Sequence, residues 1–415
     1  MNRRPDVEIW QLRARFAAAL STMYGTEVPA YTTLVDVSTA VNRDFAATHP
    51  EAQRLGSLDR VTAERHGAIR VGTPAELADV ADLFAAFGMF PVGFYDLRDA
   101  ESPVPVVSTA FRPTDADELA RNPFRVFTSM LATADPRFFD HDLRPRVERA
   151  LAARTLFSPG LIGQAREITS AGGCTAEDAD AFVQSEVAAF ALSRAPIDRS
   201  WYHELPAVSA VAADIGGVQT THINHLTPRV LDIDDLYARM SARGITMIDA
   251  IQGPPRWDGP DVLLRQTSFR ALAEPRRFRD ADGTVAHDTL RVRFGEVEAR
   301  GVALTPKGRE LYDAAFAELP GTTDPAAVWG RYFPGTDAEM AAQGLAYYRA
   351  GDPTRPVVYE DFLPASAAGI FRSNLDSDTQ AGAVTDTSGY SRDWMAGAIG
   401  RDLYDPYTLY EKAAS

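Results

Sequence analysis

The sequence contains a single cysteine, Cys174, among 415 residues. An intramolecular disulfide is therefore excluded, which suits a reducing compartment. No segment approaches the roughly 18 consecutive apolar residues that a membrane-spanning helix needs. No apolar stretch follows the arginines near the N-terminus either. We therefore expect no membrane association and no signal peptide, and we predict a cytoplasmic location.

The sequence also lacks a Lys/Arg-rich segment. Its formal net charge is −15 and its pI is about 5.0, which argues against nucleic acid as a partner. It has no GxGxxG after a strand, no P-loop, no HExxH and no GxSxG, so the common nucleotide-binding, zinc-protease and serine-hydrolase motifs are absent. With 45% hydrophobic and 24% charged residues, it is an ordinary globular sequence long enough for two or more packed units.

The same order of strands and one helix occurs twice along the chain. In the first copy RHGAIRV predicts a strand, TPAELADVADLFAAFG a helix that begins at Pro74 and stops at Gly88, and MFPVGFYDLR and VPVVSTAFRP two more strands. In the second copy QTTHINHLTPRV predicts a strand and LDIDDLYARMSARG a helix. ITMIDAIQGP, DVLLRQTSFRAL and TLRVRFGEVEARG then predict three strands. A duplicated β-α-β-β-β unit can assemble one site between its copies.

The regions around these copies have mainly helical patterns. TDADELARNPFRVFTSMLA and TAEDADAFVQSEVAAFALS predict helices between the copies, and PVVYEDFLPASAAGIFRSNL predicts a strand and an apolar loop near the C-terminus. We therefore predict five parts, which are an N-terminal helical segment (1–58), a first module (59–113), a helical insertion (114–205), a second module (206–305) and C-terminal helices with a pocket-lining strand and loop (306–415).

Two of the seven histidines, His222 and His225, lie three residues apart in THINHLTPRV. The Thr and Ile content and Pro228 favour a strand over a helix. Side chains alternate along a strand, so the two histidines would point to opposite faces. We therefore predict that only one of them reaches a given site.

The first copy also opens with a histidine strand, in which His66 and Arg70 share a face. On the last strand of the second copy, Glu296 and Glu298 share a face, and either could be a ligand. Two imidazoles and one carboxylate form the facial triad typical of non-haem Fe(II) oxygenases, with positions left for a 2-oxo acid and dioxygen. Arg70 could then bind a second carboxylate. Each residue also has an ordinary structural interpretation, as a core histidine, an edge glutamate or a surface arginine.

Four motifs resemble one known family. RHGAIR, THINHLTPR, FGEVEARGVALTPKGR and YEDFLPASAAGIF are similar to segments of the 2-oxoadipate dioxygenase/decarboxylase family, also called D-2-hydroxyglutarate synthases, over about residues 10–375. The family belongs to the vicinal oxygen chelate superfamily, whose module is a paired βαβββ unit. The resemblance implies an α+β fold in which two such modules form a central, partly closed β-barrel-like sheet, with a helical insertion and helical additions.

The resemblance also implies a site and a reaction. Carried over, the Fe(II) ligands are His66, His222 and Glu296. Glu296 is preferred to Glu298 because FGEVEARG is also similar to the ligand strand of 4-hydroxyphenylpyruvate dioxygenase. Arg70 is implied to bind the distal carboxylate of 2-oxoadipate, and Ala365 and Ser366 to line the substrate pocket. The implied reaction takes 2-oxoadipate and dioxygen to 2-hydroxyglutarate and CO2, in lysine catabolism.

Two alternative functions remain open on the sequence alone. One is a Zn- or Ni-dependent isomerase or lyase on the same scaffold, which would not consume dioxygen. The other is a metal-free protein that binds a small molecule. The alternatives differ in whether His66, His222 and Glu296 converge on one point and whether dioxygen is consumed. The oligomeric state does not follow from the sequence.

Overall fold

The computed structural model describes residues 5–100, 103–291, 293–363 and 385–415. It shows the mixed α+β fold that the sequence predicted. The strands are β1 Val7–Glu8, β2 Arg65–Val71, β3 Phe90–Asp96, β4 Val106–Arg112, β5 Arg125–Leu131, β6 Gly173–Cys174, β7 Ile197–Asp198, β8 His225–Pro228, β9 Leu264–Phe269, β10 Glu274–Arg279, β11 Val285–Leu290 and β12 Gly295–Arg300.

Helices precede, separate and follow these strands. They are α1 Ile9–Glu27, α2 Pro29–Thr48, α3 Leu58–Ala63, α4 Pro74–Ala85, α5 Ala116–Arg121, α6 Leu143–Ala152, α7 Pro159–Ala171, α8 Ala176–Ala189, α9 Arg199–Glu204, α10 Ala210–Gly216, α11 Ile233–Ala242, α12 Pro306–Ala317, α13 Pro325–Tyr332 and α14 Asp337–Ala342, with two C-terminal helices at Arg392–Ile399 and Pro406–Ala414. Among the helices described, none is both long and apolar enough to cross a lipid bilayer.

The main sheet has five strands in the order β3-β4-β5-β2-β8. Strand β2 lies parallel to β5 and antiparallel to β8. Strands β12 and β9 form a separate antiparallel pair, which a bridge between Arg229 and Glu298 joins to the end of β8. Among the residues described, the sheets do not close into a ring, so the barrel-like closure expected from the resemblance is not confirmed.

The two faces of the main sheet have different partners. Val71, Val107 and Val126 point to one face and pack in the largest core cluster with Phe16 of α1 and Phe84 of α4. The alternate residues, such as Ala68 and Phe127, point to the opposite face and pack with α6, α10 and Phe362. This second face also carries His66 and Arg70, so the candidate site lies on it.

The helix between the first two strands of the first copy begins where its sequence predicts. The Thr73 hydroxyl accepts a hydrogen bond from the Glu76 amide, and the Glu76 carboxylate accepts one from the Thr73 amide. This reciprocal pair satisfies two amides that have no partner within the helix. Gly88 follows the end of the helix with φ of 66°, a left-handed conformation that favours glycine.

Several elements differ from the sequence predictions. Strand β10 was not predicted, and TLRVRFGEVEARG, predicted as one strand, is divided between β11 and β12. Strand β5 lies inside the stretch for which a helix was predicted, and it completes the first β-α-β-β-β unit. Every residue of β5 is buried, so its apolar run has no two-residue alternation and resembles a buried helix. The predicted strand at 245–254 forms only isolated bridges to β9, at Met247 and Gln252. The strand predicted from residue 219 begins only at His225.

One buried carboxyl group, Glu186 of α8, has no hydrogen-bond partner among the residues described. It lies on the buried face of the helix together with Ala179, Phe182 and Val183, and its side chain is fully inaccessible to solvent. Burial without a compensating charge raises the pKa of Glu186 to about 8. Glu186 is therefore protonated in the folded protein near neutral pH.

We expect Glu186→Gln to remove a pH-dependent loss of stability. The folded pKa lies above the unfolded value of 4.5, so the folded state holds one proton more between these two values. The free energy of unfolding should fall by about 1.4 kcal/mol per pH unit across this window, with a total of about 3–5 kcal/mol. Chemical denaturation at pH 5 and pH 8.5 checks this, with the exposed Glu177→Gln of the same helix as control. A wild type and a Glu186→Gln variant with equal pH dependence would contradict it.

Candidate metal centre

Three buried side chains from three strands converge on one point. They are His66 of β2, His225 of β8 and Glu296 of β12, and one ligand atom of each lies within 4.8 Å of those of the other two. In the β2–β8 register His225 stands opposite Ala68, which shares a face with His66. The bridge between β8 and β12 brings Glu296 to the same face. The site is therefore assembled by pairing between the two copies of the repeated unit.

Both imidazoles direct Nε2 towards Glu296. His66 Nε2 lies 3.2 Å from Glu296 Oε1, and His225 Nε2 lies 3.7 Å from Glu296 Oε2. The other ring nitrogens have separate neighbours, since His66 Nδ1 is 3.1 Å from a Glu298 oxygen and His225 Nδ1 is 3.0 Å from the Thr227 hydroxyl. A histidine whose Nδ1 faces a carboxylate or hydroxyl is oriented to offer Nε2 to a metal.

The structure assigns different positions to the two glutamates that the sequence left as alternatives. Glu296 belongs to the convergent set and accepts a hydrogen bond of 2.6 Å from the Gln266 amide. Glu298 lies on the opposite side of the His66 ring and accepts two hydrogen bonds from the Arg300 guanidinium, at 2.6 and 2.8 Å. Glu296 is therefore the carboxylate placed as a ligand, and Glu298 positions His66.

The pKa values of the three groups suit a cation site. Burial lowers the pKa of His225 to about 4, so its imidazole is neutral at pH 7. Burial would also lower the pKa of His66, but the Glu298 and Glu296 carboxylates outweigh it and raise that pKa. Burial would raise the pKa of Glu296, yet His225 and His66 hold it below its ordinary value. A proton shared between His66 and its carboxylates could be replaced by a metal cation.

The predicted ligand His222 does not lie at the convergent site. The predicted ligand set is therefore corrected to His66, His225 and Glu296. Residues 221–224 precede the strand and are irregular. The Nε2 atom of His222 is 3.1 Å from an Asp214 carboxylate oxygen and 3.1 Å from the Asn224 amide nitrogen. The expectation that only one of the two histidines reaches the site agrees with this geometry. The choice between them depended on where the strand starts and how it pairs with β2.

Arg70, two strand steps beyond His66, lies in a buried polar cluster with Asp214, His222 and Asn224. Its guanidinium donates to the Asp214 carboxylate, which also accepts a hydrogen bond of 2.9 Å from the Asn224 amide. Burial would raise the pKa of Asp214, but His222 and Arg70 hold it well below its ordinary value. In the described part of the chain, His222 Nδ1 and Asn224 Oδ1 are buried without a hydrogen-bond partner. Such atoms indicate room for a polar ligand group.

Aromatic rings surround the convergent set. The Phe362 ring lies 5.0 Å from the His66 ring, edge to face, and the Phe294 ring lies 5.0 Å from that of His225, stacked. Phe127 in turn packs on Phe362 at 5.0 Å. These contacts exclude bulk water from the ligand atoms. The pocket residues implied by the resemblance, Ala365 and Ser366, lie outside the described residues.

The donor set fits a divalent transition metal. Two imidazole nitrogens and one carboxylate oxygen, with an outer carboxylate on one imidazole, match the 2-His-1-carboxylate pattern. Sequence reasoning missed two outer residues of this arrangement, Gln266 and Asp214, and named Glu298 only as an alternative ligand. Gln266 and Ser268 stand opposite Glu298 and Glu296 in the β9–β12 register. Without that register, nothing in the local sequence distinguishes them from ordinary strand residues.

Comparisons with known proteins agree with this geometry. A model of the family described as 2-oxoadipate dioxygenase/decarboxylase matches residues 16–374. The 2-oxoadipate dioxygenase/decarboxylase of Mycobacterium tuberculosis (strain ATCC 25618 / H37Rv) is 72% identical over 414 residues, which cover 100% of this chain and 99% of that protein. The protein of the same name from Pseudomonas putida is 40% identical over 447 residues, with 97% of this chain and 94% of that protein covered.

A solved structure supports the fold over nearly the whole chain. The crystal structure of the hydroxyglutarate synthase from Pseudomonas putida in complex with 2-oxoadipate superposes with a TM-score of 0.82 and 37% sequence identity. The superposition covers 98% of this chain and 96% of that chain. A related enzyme therefore shares the fold that contains the strands of His66, His225 and Glu296.

Proposed function

Because the chain belongs to the 2-oxoadipate dioxygenase/decarboxylase family, we propose that it converts 2-oxoadipate and dioxygen to 2-hydroxyglutarate and CO2. Both oxygen atoms of dioxygen are accounted for, since one enters the new carboxylate and one the new hydroxyl group. The observation that carries the proposal is the buried convergence of His66, His225 and Glu296. No other three-residue group of this kind is found in the part of the chain that the structure describes.

We propose Fe(II) as the metal held by these three residues. Iron supplies redox chemistry and dioxygen activation, which Zn(II) cannot supply as a Lewis acid. The chain's own contribution is to orient the ligands. Glu298 and Thr227 hold the two imidazoles with Nε2 inward, and Gln266 fixes one oxygen of Glu296. Burial by Phe362 and Phe294 keeps water from competing for the site.

The second part of the proposal concerns the distal carboxylate of the substrate. A 2-oxo diacid has its keto-acid group at one end and a carboxylate at the other. The keto-acid end belongs at the triad, because its oxygens suit a metal with open positions. The buried cluster around Arg70 and His222 offers donors for the other end, and Asp214 positions both side chains. Recognition of both ends would select dicarboxylic 2-oxo acids over monocarboxylic ones.

The proposal is tested by dioxygen uptake. The protein is loaded anaerobically with Fe(II), Zn(II) or Ni(II), and uptake is followed on adding 2-oxoadipate. We expect uptake and CO2 release in a one-to-one ratio with Fe(II) only. Turnover with Zn(II) or Ni(II) and no dioxygen uptake would favour the isomerase or lyase alternative.

We also propose a cytoplasmic location, which the single cysteine suits. From the family resemblance we propose a role in lysine catabolism.

We expect Arg70→Ala to raise KM for 2-oxoadipate by roughly ten- to a hundredfold with little change in kcat or metal content. A lost charge-assisted contact is worth about 1.5–3 kcal/mol. Arg70→Lys should restore binding only in part, because a lysine lacks the fork of the guanidinium. The matched control is 2-oxohexanoate, which has no distal carboxylate and whose KM should be the same for both proteins. An equal rise in KM for both substrates would show that Arg70 acts through the fold.

A further inference from the structure

A cavity lies apart from the metal centre. Its volume is about 510 Å³, within the range of small-molecule sites. Six parts of the chain line it. They are the 3-10 turn at Pro50–Leu55 with Gly56, helix α3 through Arg60, the end of β4 through Arg112, helix α5 with its preceding loop, the segment 349–360 and the C-terminal helix Pro406–Ala414. None of the three convergent ligands lines this cavity.

The charge of this cavity is opposite to that of the protein. Six cationic side chains line it against three carboxylates, whereas the whole chain carries a net charge of −15. Three of the cations have carboxylate partners, of which Glu360 lines the cavity and Asp337 and Asp361 do not. Arg54 pairs with Asp337, Arg60 with Glu360 and Arg112 with Asp361, at 3.0, 2.9 and 2.7 Å.

The other three cations are Arg349, Arg355 and Lys412. All three are exposed, and no carboxylate lies within 4.0 Å of their side-chain nitrogens in residues 5–100, 103–291, 293–363 and 385–415. The backbone places the two arginines together, because the Arg349 amide donates to the Arg355 carbonyl at 2.9 Å and Tyr348 bridges Pro356. Between them Ala350 adopts φ of 49°, a left-handed conformation that is uncommon outside glycine.

Ion pairs close the floor of the cavity towards the metal centre. Arg60 donates to one oxygen of Glu360, and Arg125 donates to the other at 2.6 Å. Arg125 in turn lies 3.5 Å from Glu298, which faces His66. A molecule in this cavity would therefore be separated from the metal ligands by a layer of paired charges.

We propose that this cavity binds a small anion with two negative charges, such as a phosphate or a dicarboxylate, held by Arg349, Arg355 and Lys412. Three lining cations that form no ion pair within 4.0 Å in the described residues, in an otherwise acidic protein, provide the attraction. Two guanidinium groups on one closed loop can each donate two hydrogen bonds to a carboxylate or phosphate group. The paired arginines at the floor keep their own carboxylates, so the ligand adds charge at the mouth without displacing them.

The test compares two variants that each remove two positive charges. Isothermal titration calorimetry with inorganic phosphate and with succinate, at low ionic strength, measures binding to the full-length metal-loaded protein. The Arg349→Gln/Arg355→Gln variant should bind at least tenfold more weakly than the wild type. The control Arg243→Gln/Arg279→Gln removes exposed arginines that do not line the cavity, and should bind within about twofold of the wild type. Melting temperatures of all three proteins check that the fold is intact.

Two further measurements identify the bound anion and its binding site. Phosphate binding without succinate binding would identify a phosphate site, and the reverse a carboxylate site. Saturation with 2-oxohexanoate, which has the keto-acid group for the metal centre but only one negative charge, should leave the dissociation constant of the bound anion unchanged. The proposal is overturned if neither anion binds, if both variants weaken binding equally, or if 2-oxohexanoate displaces the anion, which would place it at the metal centre.

Discussion

His225→Ala is expected to abolish metal binding and dioxygen uptake, whereas His222→Ala is expected to retain the metal. His225 contributes one of the three convergent donors found in the described residues, and its Nε2 lies 3.7 Å from a Glu296 oxygen. His222 instead contacts Asp214 and Asn224. Its loss should raise KM for 2-oxoadipate about tenfold, because one charged or polar contact to the distal carboxylate is removed. Metal content after dialysis, measured by atomic emission, separates the two variants directly.

The opposite outcome would reject the assignment of His225 as a metal ligand. If His222→Ala lost the metal and His225→Ala kept it, the ligand set would be His66, His222 and Glu296, as the family resemblance implied. Equal partial loss in both variants would instead indicate that the irregular segment 221–224 and strand β8 are disturbed together. His225→Asn is a useful addition, because it keeps a polar group near Thr227 while it removes the imidazole Nε2.

The error over His222 shows which part of a metal site a sequence can predict. Alternation along a strand predicted that only one of the two histidines reaches the site, but in the structure they are separated because His222 precedes the strand. His225 faces the site because the strand pairs with β2, where Ala68 stands opposite it. A shift of one residue in this register would turn His225 to the other face of the sheet. Sequence patterns within one strand carry no information about that register.

Other elements also divide into those that the local sequence predicts and those that depend on tertiary contacts. Helix α4 was predictable because Thr73, Pro74 and Glu76 act within a few residues of one another. Strand β5 was not, because burial on both faces removes the alternation that distinguishes strands. The role of Arg70 in a polar cluster depended on Asp214, which is 144 residues away in the chain. Contacts of that separation are determined by tertiary packing alone.

The position of Glu298 connects the metal centre to the stability of the fold. Around it lie Arg300 and Arg125, and Arg125 also donates to Glu64 at 2.5 Å. Burial would raise the pKa of Glu298, but Arg300 and His66 hold it well below its ordinary value. Glu298 is therefore a buried anion that balances buried guanidinium groups. Removing one partner from such a network leaves uncompensated charge, which is more costly than never having formed the pair.

The last expected result is that Glu298→Gln weakens both metal binding and the fold, whereas Glu296→Gln weakens metal binding alone. Loss of the carboxylate at His66 Nδ1 should lower metal affinity by roughly ten- to a hundredfold, as is usual for such outer groups. The metal-free Glu298→Gln protein should also lose about 3 kcal/mol of unfolding free energy, because Arg300 and Arg125 lose a buried anion. Glu296 contacts two imidazoles and an amide and no guanidinium among the residues described. Its substitution by glutamine should therefore leave the metal-free protein about as stable as the wild type. Urea denaturation in the presence of a chelator, together with metal titration, gives both quantities for both variants. Equal stability losses would show that the guanidinium network does not depend on Glu298, and an unchanged metal affinity in Glu298→Gln would show that His66 is oriented by other contacts.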